Sequence, residues 1–159
     1  MGNDSAHMTT PAISENQDDH QPKGKLLLVG DCLDILRLLR LFFESKGYEV
    51  WVEVNVLKVM SACKEYQPDV VLLDVNLPHV DINYVYGTLR TDQDTNQTPL
   101  VFLTQGEASH LRLVASRQGI KDHTVRLPSM RELINCVEAA LSAASDHICG
   151  RLHSFSACI

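Results

Sequence analysis

The sequence predicts an α/β fold: a doubly wound, five-stranded parallel sheet with helices on both faces. Three observations predict it. Three continuous apolar runs, Leu26-Leu27-Leu28-Val29, Val70-Val71-Leu72-Leu73 and Leu100-Val101-Phe102-Leu103, have the pattern of strands covered on both faces, whereas a strand with one wet face alternates. Segments with helical apolar spacing separate these runs, and such alternation builds right-handed βαβ units. A length of 159 residues with 45% apolar content suits one core and hardly two.

Residues 1–24 are polar, lack either apolar period and hold four acids against one base; they are expected to be disordered, and His7-Met8 resembles a cloning scar. The first strand begins at Lys25. Residues 33–46 set Leu36, Leu39 and Phe43 on one stripe, with Arg37, Arg40 and Glu44 elsewhere, and Gly47 ends the helix. Glu49 to Val54 alternates and reads as an outer strand. Val56, Val59, Met60 and Cys63 mark a helix over 56–66, stopped by Pro68.

The stretch 81–91 has the faintest helical pattern. Leu111, Val114 and Ala115 mark a helix over 107–118, and Thr124-Val125-Arg126 a short outer strand. Over 129–144, Ser129 and Glu132 form a capping-box signature ahead of Leu133, Val137, Leu141 and Ala144. The domain is thus expected over 25–144, with 145–159 a flexible tail.

The formal charge is −6, but residues 25–144 hold fifteen acids against twelve bases, so the expected fold is only mildly acidic. That balance disfavours a surface built to neutralise nucleic-acid phosphates or anionic lipid. Five cysteines without a CxxC pair read as reduced thiols, and no apolar stretch reaches the ~18–20 residues of a membrane span, so a cytoplasmic location is expected.

In open α/β sheets ligands bind beyond the carboxyl ends of the strands. Those ends carry Gly30-Asp31, Asp74, Thr104 and Arg126. Two carboxylates without histidine or cysteine suit Mg²⁺, and a hydroxyl with a guanidinium suits phosphoryl oxygens. The set points to a phosphoryl group placed on a carboxylate with a metal's help. Each residue also has a plain structural reading: Asp31 as a helix cap, Asp74 in an ion pair with Arg126, Thr104 as an ordinary strand residue. No GxGxxG, GxxxxGK[ST] or GxSxG loop is present, and Asp31-Cys32-Leu33-Asp34 lacks the DxD spacing of metal-dependent phosphohydrolases.

KLLLVGDCLDILRLLRLFFESKGYEV, QPDVVLLDVNLP, TPLVFLT and VRLPSMREL together resemble, in order and spacing, the receiver domain of bacterial two-component response regulators. The resemblance implies a flavodoxin-like strand order of 2-1-3-4-5 and a phosphoacceptor at Asp74, served by a histidine kinase or phosphotransfer protein. Asp31, Asp74 and the backbone carbonyl of Asn76 would hold Mg²⁺, Thr104 would couple to the output face, Arg126 stands for the family's lysine and His123 for its switch aromatic. It implies no enzyme beyond slow self-dephosphorylation. The expected partners are that donor, a downstream protein met through the 107–118 helix, the fifth strand and the last helix, and, as a further option, a second copy in a homodimer; neither nucleic acid nor membrane is among them.

Several residues depart from the family pattern. Gly30 replaces one of two adjacent acids, which leaves the pocket at −1 instead of −2 and should weaken Mg²⁺ binding. Arg126 is planar and bulkier than lysine, Leu127 displaces the following proline to Pro128, Ile82 stands where glycine is common, and Gln105 where a small residue is. The alternative is therefore a pseudo-receiver, a protein-interaction module that works without phosphorylation. Trp51 is a prospective fluorescence reporter of metal binding if it lies near the site.

Overall fold

The computed structural model describes residues 21–77, 79–104, 123–126 and 129–153, the last strand and residues 143–153 by their main chain alone. Its elements are β1 (Lys25–Val29), α1 (Leu33–Glu44), β2 (Glu49–Glu53), a 3₁₀ turn (Val56–Lys58), α2 (Val59–Tyr66), β3 (Val70–Asp74), α3 (Ile82–Thr91), β4 (Leu100–Thr104), β5 (His123–Arg126) and α4 (Met130–His153). The five strands form one parallel sheet in the order β2-β1-β3-β4-β5, as expected. The helix expected over 107–118 lies outside the described residues, as do Gln105, Leu127 and Pro128.

The apolar runs become the central strands because each of their side chains has a covered face to enter. Leu27, Val29, Val71, Leu73, Leu100 and Phe102 meet Val59, Cys63, Val85 and Leu89 of α2 and α3. Leu26, Leu28, Val70, Leu72, Val101 and Leu103 meet Leu36, Leu39 and Phe43 of α1 and Leu133 and Val137 of α4. Each fully buried leucine contributes about 2 kcal/mol from removing its surface from water. The sheet is thus pinned between two cores, and its strand ends are held at fixed heights.

Local signals set the helix ends. Gly47 takes φ +88° just after α1, where a side chain would be strained. Gln67 adopts φ 48° and its amide donates to the Cys63 carbonyl, which closes α2 ahead of Pro68. The expected helix over 56–66 starts instead as a 3₁₀ turn, because the Asn55 side chain accepts the Leu57 amide and tightens the first turn. The faint 81–91 pattern is a full helix, since Asp81 accepts the amides of Asn83 and Tyr84. At the other end, α4 runs to His153 and not to Ala144: no proline or glycine interrupts the chain before Gly150. Its start follows the expected cap, the Glu132 amide donating to Ser129 Oγ at 3.4 Å.

Candidate functional site at the carboxyl edge of the sheet

Strand register brings the expected residues into one row. β1 and β3 are direct neighbours with Val29 opposite Leu73, so Gly30 and Asp31 leave the sheet beside Asp74, the last residue of β3. Asp74 pairs with Leu103, which places Thr104 one step further out at the end of β4. Thr104 in turn lies opposite Arg126, the last residue of β5. Acid, acid, hydroxyl and guanidinium residue therefore end four adjacent strands. His123 sits at the opposite end of β5, against Val101. The side chains of Arg126 and His123, and with them the Asp74–Arg126 ion-pair reading, lie outside the described residues.

Asp31 is exposed, Asp74 is half-buried and Thr104 is buried. The capping reading of Asp31 does not hold: the N-cap of α1 is Cys32, and no side chain caps that helix. Asp31 is therefore left at the solvent edge of the row. Asp74 is oriented locally, because its Oδ1 accepts the Asn76 amide at 2.8 Å in an Asx turn. The resemblance had singled out Asn76 for its carbonyl; its amide has a second task, holding the acid.

Among the described residues no group of three or more His, Cys, Asp or Glu is gathered to hold a metal ion. With glycine at position 30, Asp31 and Asp74 are the two carboxylates at these strand ends. Two carboxylates with a nearby backbone carbonyl still match Mg²⁺, a hard cation that keeps several waters. Gly30 itself is buried, and a Cβ placed on it meets Asp74 Cβ at 3.3 Å, Leu36 Cδ2 at 3.4 Å and Asp74 Oδ2 at 3.8 Å. Sequence reasoning had Leu36 only as core and Gly30 only as a missing charge; no sequence signal marks how closely two strands approach. Ile82, where the family favours glycine, is buried in the α2–α3 core and is accounted for by packing.

Trp51 is poorly placed as a reporter. It stacks on Tyr66 at 5.2 Å and lies under Lys25, which starts β1, whereas Asp31 follows the end of β1. No helix among the described residues is long and apolar enough to cross a membrane.

Residues 26–138 match the family model of the response regulator receiver domain. The chain is 32% identical over 119 residues to the uncharacterized transcriptional regulatory protein YkoG of Bacillus subtilis, covering 75% of this chain and 51% of that protein. It is 28% identical over 117 residues to the DNA-binding dual master transcriptional regulator RpaA of Synechocystis, covering 74% and 48%. The chain thus spans about half the length of the curated relatives it matches. Among solved structures it resembles response regulator TrrA of Thermotoga maritima in complex with Mg²⁺-BeF, with a TM-score of 0.62 and 25% identity over 74% of this chain and 98% of that one.

Proposed function

The chain belongs to the response regulator receiver family, and on that premise we propose that Asp74 accepts a phosphoryl group from the phosphohistidine of a kinase or phosphotransfer protein. The observation that carries the reading is the row of Asp31, Asp74, Thr104 and Arg126 on adjacent strand ends. An Asp74 carboxylate oxygen attacks phosphorus. The new O–P bond forms as the N–P bond of the donor breaks, and the departing imidazole takes the bonding pair and a proton. The Asn76 amide on Oδ1 keeps the carboxylate in one orientation, which lowers the entropic cost of attack.

Asp31, Asp74 and the Asn76 carbonyl are the residues to hold Mg²⁺, which when bound offsets charge on the phosphoryl oxygens. With Gly30 in place of an acid, Mg²⁺ binding is weaker than in a three-acid pocket. The Thr104 hydroxyl reaches a phosphoryl oxygen and Arg126 balances its charge. Phosphorylation draws Thr104 inward and shifts the population of the surface to which β5 and α4 contribute, which meets a downstream protein. RpaA is a DNA-binding regulator by name, and the charge argument against nucleic acid concerns the surface of this domain alone.

The test is incubation with acetyl phosphate and Mg²⁺ followed by intact mass measurement. The expected result is one phosphoryl adduct in the wild type and none in Asp74→Asn. An adduct that survives Asp74→Asn, or none in the wild type, refutes the assignment; the second outcome favours a module that works without phosphorylation.

A further inference from the structure

Gly30 faces the end of β3 with little room for a side chain. A side chain at position 30 would bring its Cβ within 3.3 Å of Asp74 Cβ, tighter than nine in ten Cβ contacts in proteins. The Gly30 amide is tied on its other side to the Glu53 carbonyl of β2 at 3.2 Å. Asp74 is the neighbour that would have to give. Asp74 Cβ is bonded to the main chain of β3, whereas Leu36 Cδ2 at 3.4 Å stands at ordinary contact distance. Gly30 is not among the positive-φ residues, so a side chain there would be opposed by space and not by backbone conformation.

We propose that Gly30 is a positioning residue for Asp74: the missing side chain lets the end of β3 draw in against β1, and that approach sets where the Asp74 carboxylate stands. The inference rests on the phosphoacceptor reading. It differs from the charge argument in what it predicts, because restoring the family's acid by Gly30→Asp then fails to recover a family-like pocket. The added Cβ displaces Asp74 before the new carboxylate can assist a metal. A few tenths of an ångström at the attacking oxygen is expected to slow transfer about tenfold, given that a full ångström costs on the order of 100-fold.

The test compares wild type, Gly30→Ala, Gly30→Asp and, as a control with open space around its Cβ, Gly87→Ala. Each is labelled with acetyl phosphate over a range of Mg²⁺ and donor concentrations, with the fold followed by circular dichroism. Gly30→Ala and Gly30→Asp are expected to lose about tenfold in maximal rate at saturating Mg²⁺, with half-saturating acetyl phosphate unchanged within twofold, while Gly87→Ala labels as the wild type does. Either Gly30 variant reaching half the wild-type maximal rate overturns the proposal. A measurement on the native protein stands beside the variants: a strong nuclear Overhauser effect between Gly30 Hα and Asp74 Hβ is expected, and its absence overturns the proposal even where a variant does not fold. A wild type that takes no label overturns the phosphoacceptor reading itself, whereas a labelled wild type with fast Gly30 variants overturns only the role of Gly30.

Discussion

Replacing Arg90 by methionine tests how the turn between α3 and β4 is held. Arg90 is 8% exposed, and its Nη1 donates to the carbonyls of Thr98 at 2.9 Å, Asn96 at 3.3 Å and Thr95 at 3.4 Å. Its guanidinium also lies 5.1 Å from the centre of the Tyr86 ring. A hydrogen bond from a charged donor contributes about 1.5–3 kcal/mol, the two longer contacts share one nitrogen and add little, and a desolvated cation–π contact adds ~1 kcal/mol. Methionine keeps the unbranched stem, so lost packing is small and the net cost of Arg90→Met is about 3 kcal/mol. That corresponds to roughly a 10 °C fall in Tm for a domain of this size. Urea denaturation followed by Trp51 fluorescence and circular dichroism measures it. Because the turn leads into the amino end of β4, away from Thr104, labelling of the folded variant should be unaltered. A loss below about 1 kcal/mol refutes the reasoning: the turn would then hold its shape through its own bonds, such as Asn96 N–H to the Asp92 carbonyl at 2.9 Å.

Two further outcomes are expected. Gly87 sits inside α3 with nothing near its Cβ position, so Gly87→Ala should stabilise the protein by about 0.5–1 kcal/mol in the same denaturation experiment, and a destabilised variant would show that the space is needed. Burial pushes the Cys63 thiol up from 9.0 to about 11. The folded state then holds its proton where the unfolded state has lost it, so stability is full below about pH 9, falls between about pH 9 and 11 by on the order of 2 kcal/mol, and levels off above. Comparing wild type with Cys63→Ala across that window isolates the contribution, and parallel curves would contradict it.

The central strands were legible because their signal is local: four consecutive apolar residues can be satisfied only with cover on both faces, and β1, β3 and β4 have it. The capping of α4 by Ser129 was legible for the same reason, since its partner is three residues away. The start of α2 and the end of α4 were not. The first depended on Asn55 bonding forward to Leu57, the second on a helix continuing where apolar periodicity had faded. Arg90 gave no sign of its role, because its partners are main-chain carbonyls of a turn, which carry no residue identity.

By itself the sequence determined the fold class and the chemical character of the site, since strand-end residues can be listed once the strands are known. Only the tertiary structure decided that Asp31 does not cap α1, that Trp51 sits mid-strand on β2 stacked against Tyr66, and that a side chain at position 30 would press on Asp74. Distance between residues 44 positions apart is set by how two strands pack, and a glycine reads the same in sequence whether its missing side chain leaves a gap or admits a neighbour.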